Sequence, residues 1–235
     1  MRLCKDKVLR NDPCNLLILW SAKAGCSTAL QMFFKYINYQ YDNNKFIHMS
    51  RIQYENTVQP NIFPNNYNNY ITLQVVRNPY IRAVSSYLVS TIREESYYKD
   101  ASSENYQLIN ISNNLRFIEF LELLYYHIES KSNIDIHYDI QSMTHSYIPI
   151  RLNNIIKLEN FEQDIKNINQ KYNLKLDPYI KYDSHAHNSL TSDYVFYHKT
   201  QPKEYYLYYK DKKTKNLVKK IYSQDIENFK YLYPY

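Results

Sequence analysis

Leu16 to Phe34, LLILWSAKAGCSTALQMFF, is the stretch of this chain that decides its fold. It opens with an apolar block, LLILW, which is the pattern of a strand buried on both faces of a parallel sheet. After Thr28 the apolar residues follow helical spacing, at Leu30, Phe33, Phe34 and Ile37. The sequence therefore predicts a strand over residues 16–20, a turn over residues 21–27 and then a helix.

The turn contains Gly25, the only glycine among the 235 residues. A loop between a strand and a helix N-terminus presents backbone N–H groups together with about half a positive charge from the helix dipole. Glycine lets the backbone approach a ligand closely, Lys23 adds a full charge, and Ser27 and Thr28 add hydroxyl donors. The loop therefore predicts a site for a phosphate-like anion. The alternative is an ordinary strand-to-helix turn.

Two common nucleotide-binding loops do not fit this stretch. A Walker A loop needs the pattern G-x-x-x-x-G-K-[ST], and a dinucleotide fingerprint needs several glycines at fixed spacing. The chain has a single glycine, so both patterns are excluded.

A second stretch repeats the strand-to-helix architecture. Ile71 to Val76, ITLQVV, is again a buried-strand pattern, and Pro79 is a residue that favours a helix start. Arg77 stands at the end of this strand, and Ser85 lies eight residues further on, in the predicted helix. Because Arg and Ser side chains both bind phosphate, the stretch predicts a second anion site.

The two stretches together resemble the sulfotransferase family that uses 3′-phosphoadenosine-5′-phosphosulfate (PAPS) as its donor. The shared patterns are K-x-G-[CT]-[ST] after a first strand and R-[DN]-P-x-x-R-x-x-S-x-Y after a later one. The resemblance implies that Arg77 and Ser85 bind the 3′-phosphate of the donor. It also implies that the first loop binds the 5′-phosphosulfate, through Lys23, Ala24, Gly25, Cys26, Ser27 and Thr28.

One position departs from the second pattern. The family usually has Asp where this chain has Asn78. We interpret Asn78 as a cap of the following helix, a role that either residue can fill. Arg82, in the same pattern, is interpreted as a structural residue that packs or forms an ion pair within the fold.

Looser matches follow in the family's order and are closest to the Golgi-type carbohydrate sulfotransferases. Residues 135–143, DIHYDIQSM, resemble the H-W-x-P-Q block, with Gln141 retained and Ile140 in place of the proline. Residues 154–165 resemble a block in which Lys157, Glu159 and Asp164 have structural roles. Residues 184–194 resemble an H-x-N-x-S block, with either His185 or His187 as its histidine. With a matching C-terminal segment, the resemblance covers residues 16–231.

The resemblance implies transfer of a sulfuryl group from PAPS to an acceptor hydroxyl, with 3′-phosphoadenosine 5′-phosphate (PAP) as the product and a carbohydrate as the acceptor. Such a transfer depends on positioning and charge stabilisation, which is the role expected for Lys23. A general base must take the acceptor proton, and a histidine suits this task. We expect His137 to be this base, with His48 and Glu55 as the next candidates. The alternative for His137 is a hydrogen-bonded structural histidine. No metal is required.

The rest of the sequence favours one α/β domain over residues 1–235, with a mostly parallel sheet flanked by helices and a P-loop-like core. Residues 1–15 are an extension, residues 16–34 the 5′-phosphosulfate unit and residues 71–90 the 3′-phosphate unit. Residues 36–70 are expected to be loop with short helices. Helices are predicted over residues 115–130 and 161–172 and within 218–235, and a short strand over residues 155–158.

The composition limits the partners and the location of the chain. A net charge of +6 suits an anionic donor but is too dispersed to indicate nucleic-acid binding, and the 28 tyrosines indicate compositional bias. The three cysteines, Cys4, Cys14 and Cys26, do not have the spacing of a metal site. They are compatible with a Cys4–Cys14 disulfide or with a reducing compartment and no disulfide. No membrane span is expected, so the chain as given is expected to be soluble, either in the cytoplasm or in a secretory lumen without its anchor.

Two other classes of function remain as alternatives. One is a relative that binds a nucleotide or a glycan without turnover, which the presence of Lys23 and Arg77 disfavours. The other is a P-loop-like nucleotide kinase, which would need the Walker A lysine and a second glycine.

Overall fold

The structure is a computed structural model that describes residues 8–41, 47–57, 69–92, 115–130, 137–142, 152, 154–180 and 202–234. Its contacts divide the chain into two compact units. The first unit comprises Met1–Arg77 and Gln141–Thr191, and the second comprises Asn78–Ile140 and Ser192–Tyr235.

The first unit is built on a sheet of four strands in the order β1-β2-β3-β4. These are β1 (Val8–Asn11), β2 (Leu16–Leu19), β3 (Ile71–Val76) and β4 (Asn154–Lys157). β1 pairs antiparallel with β2, whereas β2 with β3 and β3 with β4 are parallel. All four β2 residues are buried, as a strand covered on both faces requires. The α/β class and the mostly parallel sheet predicted from the sequence are confirmed.

The strand register brings three chain segments to one edge of this sheet. Leu19 pairs with Gln74, and Val76 pairs with Lys157, so β2, β3 and β4 run in the same direction and end near one another. The segments that leave this edge begin at Trp20, Arg77 and Leu158. In open α/β sheets, ligands bind at the carboxyl ends of the strands. A ligand-binding site is therefore expected at this edge.

Three helices of the first unit share an apolar core with the sheet, namely α1 (Cys26–Tyr36), α2 (Ile47–Thr57) and α5 (Phe161–Tyr172). The bounds of α5 match the prediction, and α1 begins two residues before its predicted start because Gly25 turns the chain directly into the helix. The expectation of loop with short helices over residues 36–70 missed the full length of α2. Its eleven residues bury only Ile47, Ser50 and Tyr54, so the sequence carries little apolar periodicity there.

The second unit is helical in its described part. It contains α3 (Pro79–Ile92), α4 (Phe117–Glu129), a 3₁₀ segment (Pro202–Tyr209), α6 (Lys212–Ile221) and α7 (Ser223–Asn228). The C-terminal segment forms two helices where the sequence predicted one, because Tyr222, at φ −112° and ψ 29°, separates them. The Asp211 side chain begins α6 by accepting a hydrogen bond of 2.7 Å from the Thr214 N–H.

The core of the second unit is rich in aromatic rings. Tyr80 from α3, Phe117 and Phe120 from α4, and Tyr209 and Tyr222 from the C-terminal part belong to one buried cluster. Phe117 and Tyr209 meet edge-on at 5.5 Å between ring centroids. The abundance of tyrosine therefore serves packing in this unit.

The functional segments assigned to residues 1–15, 16–34 and 71–90 stay a prediction.

Candidate functional site

The loop after β2 turns tightly into α1. Its Ala24 N–H donates to the Ser21 carbonyl at 3.1 Å, and the first bond of the helix runs from the Ala29 N–H to the Gly25 carbonyl at 2.9 Å. Lys23 and Gly25 both have left-handed backbones, at φ 64° and φ 85°. Helix geometry leaves the N–H groups of the first turn, Cys26 to Thr28, without acceptors inside the helix. These groups lie at the helix N-terminus for which the sequence predicts anion binding.

Gly25 is required here for two structural reasons. An L-residue at φ 85° is strained, and a Cβ atom on Gly25 would lie 2.7 Å from the Cδ1 atom of Leu158. Leu158 follows β4 directly, so the close neighbour of the glycine is a side chain at the end of β4, the strand beyond β3 in the sheet. Ala24 beside it is fully buried, so any contribution of Ala24 to ligand binding comes from its backbone.

Cys26, the first residue of α1, contacts a histidine from α2. Its Sγ atom lies 3.5 Å from Nε2 of His48. Burial alone would raise the pKa of the Cys26 thiol, but the imidazole of His48 and the charge and backbone N–H of Lys23 outweigh burial and lower the pKa to about 6. At neutral pH the thiol is therefore mostly ionised, in a loop that also carries a helix N-terminus.

The packing of His48 explains why it stays beside the loop. Its ring meets the Trp20 ring at 5.7 Å between centroids, and the guanidinium of Arg51 lies over the same Trp20 ring at 5.3 Å. Arg51 also forms an ion pair of 3.1 Å with Glu55, one helical turn along α2. Trp20 thus fixes α2 against the end of β2. The two next candidates for the base differ, since His48 reaches the loop and the contacts described for Glu55 are with Arg51.

Arg77, at the end of β3, reaches the same loop. Its NH1 group donates to the backbone carbonyl of Lys23 at 3.1 Å. The structure therefore brings together Lys23 and Arg77, which the sequence assigned to two separate anion sites.

Gln141 fixes the backbone of Arg77, a role that the sequence did not reveal. Its Oε1 atom accepts from the Arg77 N–H at 2.8 Å, and its Nε2 group donates to the Arg77 carbonyl at 2.9 Å. The backbone carbonyl of Gln141 in turn accepts from the Gln74 side chain at 2.9 Å. The only available signal was that Gln141 keeps its residue type in a block where the proline does not.

In the second unit, Asn78 caps α3 as the sequence predicted. Its Oδ1 atom accepts from the Tyr80 N–H at 3.0 Å, and Pro79 is the first helical residue. Its Nδ2 group also donates to the Leu232 carbonyl at 3.0 Å. An aspartate could make the cap but could not donate to Leu232, so the departure from the family's usual residue has a physical reason.

Arg82 is a structural residue in this unit. It is fully buried, its guanidinium lies over the Tyr222 ring at 5.6 Å, and its NH2 group lies 3.5 Å from the His137 carbonyl. The Ser86 hydroxyl donates to the same carbonyl at 2.8 Å. Both bonds therefore hold the backbone carbonyl of His137. Ser85 lies on α3 and is half-buried.

Other predicted residues have structural contacts or lie outside the described part. Asp164 accepts from the Lys157 N–H at 2.8 Å, in agreement with a structural role. His185, His187 and Cys4 are not among the described residues, and Cys14 and Cys26 are free thiols.

Metal-binding clusters and membrane-spanning helices are both absent from the described ranges. The described His, Cys, Asp and Glu side chains form no group that could hold a metal ion. Among the described helices, none has the length and apolar character needed to cross a bilayer.

Comparison with known proteins gives one match. The model of the Sulfotransferase family matches residues 6–232, which is nearly the whole chain. No curated protein and no solved structure matches. The matched range includes the loop after β2, the end of β3 and the segment that carries Gln141. The chain belongs to the sulfotransferase family.

Proposed function

We propose that this protein transfers the sulfuryl group of PAPS to a hydroxyl group of a carbohydrate. Membership of the sulfotransferase family supports sulfuryl transfer in general. The choice of PAPS rests on the two phosphate patterns. The choice of a carbohydrate rests on the looser resemblance to the Golgi-type enzymes.

The observation that carries the proposal is the hydrogen bond between Arg77 and the Lys23 carbonyl, 3.1 Å long, beside the N-terminus of α1. Two basic residues from neighbouring parallel strands meet where a helix offers backbone N–H groups to an anion. PAPS carries anionic groups at both its 5′ and 3′ positions, so it matches a site with two sources of positive charge. This donor set consists of backbone amides, hydroxyls, an ammonium and a guanidinium, and all of them bind phosphate.

In the proposed site each residue has one task. Lys23 and the N–H groups of Gly25 to Thr28 hold the 5′-phosphosulfate, and Arg77 and Ser85 hold the 3′-phosphate. PAPS supplies an activated sulfuryl group and a phosphate leaving group. The ammonium of Lys23 stabilises the negative charge that develops on the leaving side, which is the kind of interaction that accelerates group transfer.

His137 is proposed as the general base that takes the proton of the acceptor hydroxyl. The bonds from Ser86 and Arg82 fix its backbone carbonyl, and a histidine with a pKa near neutrality suits the task of a general base. His48 is the second candidate, because it is the histidine that contacts the loop at Cys26. Parallel turnover measurements on His137→Ala and His48→Ala decide between them, since only the base should cost about 10² to 10⁴-fold.

Calorimetric titration with PAP, AMP and ATP tests the donor assignment. PAP should bind more tightly than AMP, because only PAP carries the 3′-phosphate assigned to Arg77 and Ser85. Equal affinities for PAP and AMP would remove that assignment. Tighter binding of ATP would favour the kinase alternative, and PAP binding without sulfate transfer would favour a relative without turnover.

A further inference from the structure

The side chain of Gln141 hydrogen-bonds the backbone of Arg77 as a neighbouring strand would, at a position just beyond the paired strands. The β3–β4 pairing ends at Val76 and Lys157, so Arg77 lies just beyond the registered pairs. Gln141 pairs with both backbone groups of Arg77, accepting from its N–H at 2.8 Å and donating to its carbonyl at 2.9 Å. One planar amide thus replaces the neighbouring strand at the position where the sheet ends.

The amide itself is rigidly held. Gln141 and Gln74 are both fully buried, and the Gln74 side chain donates to the backbone carbonyl of Gln141 at 2.9 Å. The hydrogen bonds therefore form a chain from Gln74 through Gln141 to Arg77, and from the Arg77 guanidinium to the Lys23 carbonyl. All of these hydrogen bonds lie within the first unit, and in such a chain the loss of one hydrogen bond weakens the next.

We propose that Gln141 is a positioning residue that orients Arg77 for binding of the donor's 3′-phosphate. The inference rests on the proposed function, since it assumes that Arg77 binds this group. Gln141 acts through Arg77 and need not touch the donor. Its residue type matters because the pairing needs one acceptor and one donor in the same plane, which an ionised carboxylate or an apolar side chain cannot provide.

The first test compares Gln141→Leu with the unchanged protein by calorimetry with PAP and AMP. The preference for PAP over AMP should fall about tenfold, as expected when one or two hydrogen bonds that orient a ligand-binding group are lost. Thr214→Val is a matched control, because it removes a buried hydroxyl bond to Asp211 in the second unit and should keep the preference. An unchanged preference in Gln141→Leu would overturn the inference.

Gln141→Glu gives a sharper readout, because a protonated carboxyl has the same donor and acceptor pattern as an amide. Burial raises the pKa of such a carboxyl, so the variant should regain the PAP preference as the pH falls and lose it as the pH rises. The unchanged protein, titrated at each pH, corrects for ionisation of the nucleotide phosphates. A purely structural defect would give no recovery at low pH, and that result would contradict the inference.

A double-variant cycle shows whether Gln141 acts through Arg77. In an Arg77→Ala background, Gln141→Glu should have no further effect on the PAP preference, since the group that it orients is gone. Additive effects would overturn the inference. If the unchanged protein itself showed no preference for PAP over AMP, the proposed function would fail and this inference with it. A normal preference that survives every change at Gln141 would remove the inference alone.

Discussion

Gly25 meets a conformational and a steric requirement at the same position. Its backbone is left-handed, and Leu158 occupies the space that a Cβ atom would need. Gly25→Ala should therefore lower the free energy of unfolding by about 2 kcal/mol, within the range for a strained backbone. Urea denaturation measures the change. In a Leu158→Ala background the steric part disappears, so the cost there should be smaller, and an equal cost would show that only the backbone matters.

The Cys26–His48 contact predicts a reactive thiol. Because His48 and Lys23 outweigh burial and lower the pKa of Cys26 to about 6, alkylation of Cys26 by iodoacetamide should rise with pH around that value. His48→Asn removes the imidazole but not the burial that raises the pKa, so the midpoint should move to higher pH. Peptide mass spectrometry follows Cys26 separately from Cys14, which serves as the internal reference. An unchanged midpoint would mean that His48 does not control this thiol.

His137 tests the division between anchoring and chemistry. If His137 is the base, its side chain points at the acceptor, and alanine keeps the backbone carbonyl that Ser86 and Arg82 bind. His137→Ala should then leave the melting temperature and PAP affinity nearly unchanged. Turnover should fall by about two to four orders of magnitude, the usual contribution of a positioned base. Ser86→Ala is the control for the anchor, because it removes a backbone contact and keeps the imidazole. A destabilised His137→Ala protein with normal specific activity would move the search to His48.

At the scale of elements, α3 begins at a cap that holds two parts of the second unit. Asn78 accepts from the first turn and donates to Leu232, near the end of the chain. Asn78→Asp keeps the acceptor but loses the donor, so the Leu232 carbonyl loses its hydrogen bond from this side chain. The free energy of unfolding should therefore fall by about 1 to 2 kcal/mol. Thermal unfolding would measure it.

The opposite exchange at another helix is the matched control for that change. Asp211 begins α6 by accepting from the N–H and the hydroxyl of Thr214, and neither bond needs an additional donor. Asp211→Asn keeps the acceptor for the Thr214 N–H, and its amide NH2 group can donate to the Thr214 hydroxyl oxygen in place of the second carboxylate oxygen. It should therefore cost less than Asn78→Asp, the main remaining cost being the lost charge at a helix N-terminus. If the two exchanges cost the same, the Leu232 bond would contribute nothing.

The elements differ in how far the sequence predicts them. β2 and β3 are nearly continuous apolar blocks and α5 has strong helical apolar periodicity, and their predicted positions are confirmed. α2 was not predicted as one helix, because it buries few residues and because the ring contact between its His48 and Trp20 joins residues that are distant in sequence. The break at Tyr222 was missed for a related reason: the buried residues Val218, Ile221 and Tyr222 continue a helical spacing across it.

At the scale of the whole molecule, the residue types of the site were predictable and their connections were not. Lys23 and Arg77 follow from local patterns after two strands. The bond between them, and the two hydrogen bonds from Gln141 to the Arg77 backbone, depend on strands paired over long sequence separations.

Arg77→Ala should therefore weaken PAP binding and also loosen the Lys23 loop. AMP affinity measured on the same variant separates the two effects, and normal AMP binding would show that the loop stands without Arg77.

The most direct measurement of the central claim is sulfate transfer from PAPS by the unchanged protein and by Lys23→Ala. PAPS and a mixture of unsulfated oligosaccharides are the substrates, and both PAP release and the mass of the sulfated product are followed. We expect transfer by the unchanged protein and its loss in Lys23→Ala with nearly normal PAP affinity, because the ammonium matters most when negative charge develops on the leaving group. Equal turnover by the two proteins, or PAP binding without any transfer by either, would contradict the account.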